Sequence, residues 1–155
     1  MAGFKFPECA YEIEEVITKT TLDISAEVFE VGGDTPTNII GTDQDWKVVV
    51  KWAVHGHLVS HLCGKWAVGL SLESIGGRAD EYDFGPEKVD MEPCGDGKYS
   101  YTFNIPAGAV SAGDADGTIY ELGVTLTARD ACGKPSHIAA FCTEVSLMVF
   151  EQAPH

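Results

Sequence analysis

Two stretches of alternating apolar and polar residues carry all three tryptophans of the chain. In residues 46–55 every second position is apolar and mostly large: Trp46, Val48, Val50, Trp52 and Val54. In residues 66–72 the alternation returns with Trp66, Val68, Leu70 and Leu72. A period of two is typical of a β-strand that buries one face. The pattern therefore predicts two strands that carry the centre of the core.

The same alternation predicts further strands on both sides of this pair. Residues 11–31 fit a short helix at their start, but their many β-branched side chains favour one or two strands. Residues 98–105 and 120–128 alternate clearly, with Tyr99 and Tyr120 among the inward positions. Residues 138–151 predict a last strand, with one inward face made of Ala139, Phe141, Val145, Leu147 and Val149.

Two regions lack this regularity. Residues 32–45 are rich in Gly, Pro and Asx, which favour a long loop. Residues 76–97 allow one short edge strand within 82–91, because Pro86 and Pro93 do not suit a central strand.

Seven or eight strands without a clear helix predict an all-β fold, either an antiparallel β-sandwich or a barrel. The strands are long and their connections uneven, which favours the sandwich. We expect one domain over residues 11–151, preceded by an arm at 1–10 and followed by a tail at 152–155.

From about residue 46 onward the layout resembles an immunoglobulin-like or fibronectin type III β-sandwich. The resemblance rests on Trp66 on a central strand, the run YSYTFNIPAG at 99–108, and Tyr120 at the start of YELGVTLTA. The resemblance implies that Tyr120 is a corner tyrosine. Leu122 stands where antibody domains have a cysteine, so no inter-sheet disulfide is implied there. The resemblance concerns the fold and does not carry a function.

The charge balance limits the partners of the protein. The chain has 24 Asp and Glu against 10 Lys and Arg, a formal net charge of -14. Such a charge repels nucleic acid and anionic membrane surfaces, so neither is an expected partner. The remaining expectation is a protein partner or a second copy of the chain.

The first residues, MAGFKFPECAYEIEE, lack a basic segment followed by an apolar run, and no stretch has the length of a membrane span. We therefore expect a cytoplasmic protein, in which thiols stay reduced. The five cysteines are odd in number, contain no CxxC pair, and are expected to be free: Cys9, Cys63, Cys94, Cys132 and Cys142.

One candidate metal site is formed by His55, His57, His61 and Cys63. If residues 46–57 and 62–75 formed a tight hairpin, all four would lie on its outward face near the turn. Imidazoles and a thiolate are zinc ligands. In an immunoglobulin-like sandwich, however, these strands belong to different sheets, and the four residues would be ordinary loop residues.

Acidic loops give a second candidate ligand site. Asp114, Asp116 and Gly117 in GDADG have part of a calcium-loop pattern, but Ala112 and Gly123 occupy two ligand positions and exclude an EF-hand. A looser calcium site shared with Asp43 and Asp45 is the remaining possibility; otherwise these are solvated turn residues.

Catalytic signatures are missing from the sequence. It contains no GxSxG, no GK[ST] and no HExxH. Ser60 beside His61, and Cys132 with His137, are too generic to assign a role. We expect a protein that is not an enzyme and that needs no cofactor other than the zinc or calcium considered above; an enzyme of unrecognised type is the open alternative.

A candidate interface lies on outward positions of two strands that the sandwich resemblance makes neighbours. Their short side chains would leave a flat sheet face: Ala67, Gly69, Ser71, Gly123, Thr125 and Thr127. On the last strand Cys142, Met148 and Phe150 are apolar at predicted outward positions, as at partner surfaces. The alternative is that the N-terminal arm, with Phe4, Phe6 and Tyr11, covers this region.

Overall fold

Two β-sheets form the fold, and the two tryptophan-bearing strands lie in different sheets. The computed structural model describes residues 4–5, 9–13, 21–56, 63–75, 81–113 and 117–151, with the backbone alone at 4–5, 9–13, 136–137 and 144–145. The strands in this part of the chain are β1 (Phe4–Lys5), β2 (Cys9–Ile13), β3 (Thr21–Glu30), β4 (Ile39–Gly41), β5 (Trp46–His55), β6 (Lys65–Ser74), β7 (Glu81–Asp90), β8 (Lys98–Ile105), β9 (Thr118–Arg129) and β10 (Pro135–Phe150).

The sheets contain four and six strands. The four-stranded sheet has the order β1-β3-β5-β8, and the six-stranded sheet has the order β2-β10-β9-β6-β7. β4 completes the larger sheet by pairing in parallel with the end of β10, whereas the other described strand pairs are antiparallel. One edge of β10 therefore pairs with two strands: with β2 near the start of β10 and with β4 near the end of β10.

An aromatic cluster joins the two sheets in the core. The ring of Trp52 on β5 meets that of Trp66 on β6 edge to face, with centroids 6.2 Å apart. Tyr99 on β8 packs against both tryptophans, at 6.0 and 5.8 Å. Both tryptophans and Leu126 are buried. The apolar positions of the alternating strands β5 and β6 therefore lie in the core, as predicted. The predicted all-β sandwich is confirmed.

The region expected to hold one short edge strand contains β7, a full ten-residue strand at the edge of the larger sheet. Its register with β6 shifts between Val68 and Leu70, where β7 has one extra residue. Gly85, with φ of +85°, and Pro86 lie at this shift. A bulge on an edge strand is a place where a sheet accepts proline. The expected total of seven or eight strands falls short of the ten strands observed in the described residues.

The predicted inward face of the last strand is wrong for its first half. Ala139 and Phe141 are exposed, whereas Ile138, Ala140 and Cys142 are buried. The register between β9 and β10 shifts between Cys142 and Val145, because β10 has one extra residue there. Such a β-bulge changes the phase of the alternation.

Tyr120 has the contact that the resemblance implied. Its side chain is fully buried on β9, and its hydroxyl donates a 2.6 Å hydrogen bond to the carbonyl oxygen of Ser111, nine residues upstream. The amide of Ser111 in turn donates to the hydroxyl of Tyr82 at 3.1 Å. The two tyrosines therefore hold the loop between β8 and β9 against the larger sheet.

Candidate interaction face

The small residues predicted to form a flat face lie opposite one another on adjacent strands. In the register of β6 and β9, Ala67 pairs with Thr127, Gly69 with Thr125, and Ser71 with Gly123. Directly opposite residues of an antiparallel pair share one face of the sheet. The inward positions of both strands are filled by core residues, so this face is the outer face of the six-stranded sheet.

The centre of the face is flat because two glycines are closely covered by neighbouring side chains. A Cβ added at Gly69 would lie 2.6 Å from Oγ1 of Thr125. One added at Gly123 would lie 2.7 Å from Oγ of Ser71 and 3.5 Å from the ring of Phe141. Phe141 is the β10 partner of Thr125 and is 49% exposed. Its ring therefore lies beside Gly123 and keeps an apolar side open to solvent.

Opposite charges mark the two ends of the same face. At one end Lys65 on β6 pairs with Arg129 on β9, and at the other Glu73 pairs with Glu121. The edge strand adds Lys88 beside Ala67 and Glu81 beside Glu73. At the basic end it also adds Asp90, whose Oδ1 lies 3.6 Å from Nζ of Lys65. We call this surface the docking face and define it by Lys65, Ala67, Gly69, Ser71 and Glu73 on β6, Glu121, Gly123, Thr125, Thr127 and Arg129 on β9, and Phe141 on β10.

An apolar row borders the acidic end of the docking face. Ile119 on β9 pairs with Met148 on β10, which pairs with Ile39 on β4. The amide of Ile75 donates to the carbonyl oxygen of Ile119 on the other side. The three isoleucines are each about half exposed. Met148 and Phe150, expected to be outward, are half-buried, whereas Cys142, expected beside them, points into the core.

Charged residues and Phe141 were absent from the predicted interface. The charged residues of the docking face lie at outward positions of β6 and β9. The alternation defines those positions, so it could have predicted that these residues belong to the same face. Phe141 was assigned to the core because the bulge in β10 was not visible in the sequence.

The proposed zinc ligands do not share a hairpin. β5, which ends at His55, belongs to the four-stranded sheet, and β6, which begins after Cys63, belongs to the six-stranded sheet. His55 is exposed and its Nε2 lies 3.2 Å from Oδ2 of Asp23, while Cys63 is an exposed free thiol. His57 and His61 lie outside the described residues. The zinc site stays a prediction without support from the described geometry.

The acidic loops are described only in part. Asp114 and Asp116 lie outside the described residues. Asp45 is exposed, and its Oδ1 accepts a 2.7 Å hydrogen bond from the amide of Ala107, which ties its loop to the turn after β8. The described residues contain no cluster of three His, Cys, Asp or Glu side chains arranged to hold a metal ion.

The cysteines differ from the expectation of five free thiols. Cys63, Cys94 and Cys132 are free and exposed, but Cys142 is buried and forms a disulfide. The expectation was wrong for Cys142, because it followed from an assumed reducing compartment and from cysteine spacing, and neither shows where the fold places the thiols.

A shallow groove of about 360 Å³ crosses three strands on the outer face of the four-stranded sheet. Its outward side chains form two rows of Cα partners, Ser25–Lys51–Ser100 and Asp23–Ala53–Lys98. Short side chains between longer ones create the concavity. Asp23 contacts His55, whereas neither lysine forms an ion pair with a described residue.

Comparison with known proteins shows the fold alone. No family model matches the chain, and no curated protein matches it. Among solved structures it is similar to the C-terminal domain of Wzt, with a TM-score of 0.61 and 12% identity over 98% of this chain and 84% of that one. It is also similar to part of a β-glucosidase from Listeria innocua solved in complex with glucose, with a TM-score of 0.47 and 10% identity over 88% of this chain and 17% of that one.

The first likeness supports a β-sandwich domain, in agreement with the two sheets described above. Among the described residues, no helix has the length and hydropathy of a transmembrane span.

Proposed function

We propose that the protein is a non-enzymatic β-sandwich module that associates with a second copy of itself through the docking face. The observation that supports this is the charge distribution: one end of the face is basic at Lys65 and Arg129, and the other is acidic at Glu73 and Glu121. A two-fold interface requires a surface that is complementary to itself. A face with opposite charges at its two ends meets that requirement.

The register supports one position for the symmetry axis of the proposed dimer. Gly69, Thr125 and Phe141 form the row that lies midway between the charged ends. A two-fold axis along this row, in the plane between two stacked copies, reverses the strand direction of one copy. On each strand, the residue four positions before the row in one copy then faces the residue four positions after the row in the other copy. Lys65 therefore faces Glu73 of the second copy, and Arg129 faces Glu121.

The centre of the face suits close stacking of two sheets. Ala67, Gly69 and Gly123 are buried, because they carry little or no side chain and their neighbours cover them. The surface that a second copy meets at the centre is therefore formed by Ser71, Thr125 and Phe141, which lie over the two glycines. The axis also brings Phe141 near Phe141 of the second copy. Aromatic pairs contribute about 0.5–1.5 kcal/mol beyond the area that they bury.

Net charge opposes association at long range. Each copy carries a formal charge of -14, so two copies repel one another in dilute salt. At physiological ionic strength the screening length is about 8 Å, and contacts within the interface decide the affinity. The interface contains two such contacts, Lys65 with Glu73 and Arg129 with Glu121, and the two-fold axis repeats each of them.

Sedimentation equilibrium over micromolar to millimolar concentrations tests the proposal. We expect a reversible monomer–dimer equilibrium for the unmodified chain and about tenfold weaker dimerisation for Phe141→Ser. Val31→Ser is the matched control, because Val31 is an exposed apolar residue in the loop after β3, outside the docking face. A monomer at every concentration, or equal weakening by both variants, would refute the proposed contact.

The groove on the other sheet supports a second candidate function, the binding of a small molecule that carries a carboxylate or phosphate. Lys51 and Lys98 lie diagonally on adjacent strands, and Ser25 and Ser100 add hydroxyl donors. Because His55 contacts Asp23, the nearest carboxylate in the groove already has a partner. Two ammonium groups can then share one bound anion.

A further inference from the structure

Cys142 is disulfide-bonded, and the structure narrows its partner to one residue. Of the other four cysteines, Cys63, Cys94 and Cys132 are free thiols. The backbone of β2 places Cys9 directly opposite Cys142 as its Cα partner. Opposite residues of an antiparallel pair have Cα atoms about 4.5–5.5 Å apart, within the range that a disulfide spans.

We propose that Cys9 and Cys142 form a covalent link that fastens the N-terminal strand β2 to the last strand β10. The link closes a loop of about 130 residues, and a long loop restricts the unfolded chain strongly. It also joins two strands that are far apart in the sequence and whose described pairing covers residues 138–142 of β10. This inference does not depend on the docking face.

The link controls one edge of the larger sheet. β2 pairs with residues 138–142 of β10, and β4 pairs with residues 148–150 on the same edge. Without β2, the backbone N–H and C=O groups at 138–142 that face away from β9 would be unpaired and open to an extended strand from another molecule. Reduction by a dithiol transfers two electrons and two protons to the disulfide, releases both thiols and converts the dithiol into its own disulfide. The edge is then held closed by backbone hydrogen bonds and packing alone.

Peptide mapping tests the pairing. The protein is equilibrated in a mixture of oxidised and reduced glutathione, alkylated under denaturing conditions, digested without reductant and analysed by mass spectrometry. We expect one cross-linked peptide pair joining Cys9 to Cys142, with Cys63, Cys94 and Cys132 alkylated. Cross-links from Cys142 to another cysteine, or alkylation at all five positions, would overturn the proposal.

Hydrogen exchange tests the consequence. Adding a dithiol to the oxidised protein should speed exchange about tenfold or more at those amides of 138–142 that face β2, and leave the β6–β9 amides unchanged, because local opening exposes only the released edge. Cys9→Ser should reproduce the faster exchange in the absence of reductant. Cys132→Ser is the matched control, since Cys132 is a free exposed thiol. Unchanged exchange at 138–142 in both the reduced protein and the Cys9→Ser variant would contradict the role given to the link.

Discussion

Gly69 and Thr125 lie directly opposite each other on β6 and β9, and a Cβ at Gly69 would lie 2.6 Å from Oγ1 of the threonine. Real Cβ atoms do not approach an oxygen so closely, so a larger residue at 69 must displace Thr125. Thr125 is β-branched and cannot turn away freely. The pair therefore fixes how flat the centre of the docking face is.

This relationship predicts a coupling between the two positions. Gly69→Ala should lower the free energy of unfolding by about 1–2 kcal/mol, because it forces a side chain against Thr125. In a Thr125→Ala background, which removes Oγ1, the same substitution should cost about 1 kcal/mol less. Urea unfolding of the four proteins of this double-mutant cycle measures the coupling. Equal costs in both backgrounds would show that the two residues do not interact.

Tyr120 predicts a second stability effect. Tyr120→Phe removes a partly buried hydrogen bond to the carbonyl oxygen of Ser111 and should lower the free energy of unfolding by about 1–2 kcal/mol. Tyr82→Phe is the control, because its hydroxyl accepts from the amide of the same Ser111 at an exposed site and should cost less. Thermal unfolding of both variants gives the comparison. A larger loss of stability for Tyr82→Phe would contradict the conclusion that Tyr120 makes the stronger contact with this loop.

The groove predicts an anion response confined to one face. In an amide chemical-shift titration with sodium phosphate at constant ionic strength, we expect saturating shifts near Lys51 and Lys98. Replacing either lysine by glutamine should weaken binding about tenfold, as expected when a charge-assisted hydrogen bond is lost. Lys47→Gln lies on the same sheet face but outside the groove, and should leave the affinity unchanged. Shifts that do not saturate, or equal effects of all three variants, would exclude the site.

Much of the docking face could be predicted from the sequence, because alternation assigns each residue of a regular strand to one side. Ala67, Gly69 and Ser71 needed only that period and the expectation that β6 and β9 are neighbours. Phe141 could not be placed in the same way, since one extra residue in β10 reverses the phase and leaves no mark in the pattern. Local periodicity determines faces only as far as the next bulge.

The groove and the disulfide depend on strand order, which the sequence does not display. Lys51 and Lys98 meet because β5 pairs with β8, and the sequence separates these strands by two strands of the other sheet. Cys142 is bonded because β2 runs beside β10. The zinc prediction had the opposite weakness: it required β5 and β6 to pair, and they lie in different sheets.

The charge arrangement of the proposed dimer can be tested with variants of one protein, because Lys65 of one copy faces Glu73 of the other and both residues belong to the same sequence. Lys65→Glu and Glu73→Lys should each weaken dimerisation about tenfold, because each leaves two like-charged pairs in the interface. Lys47→Glu and Glu27→Lys make the same charge changes on the outer face of the four-stranded sheet and should have no effect.

The most direct test is sedimentation equilibrium of the double variant Lys65→Glu/Glu73→Lys, which exchanges the two charges and recreates both pairs with reversed sign. We expect its dimerisation constant to return to within about threefold of that of the unmodified chain. A double variant that dimerises as weakly as the product of the two single effects would show that these residues do not face each other, and would contradict the proposed interface.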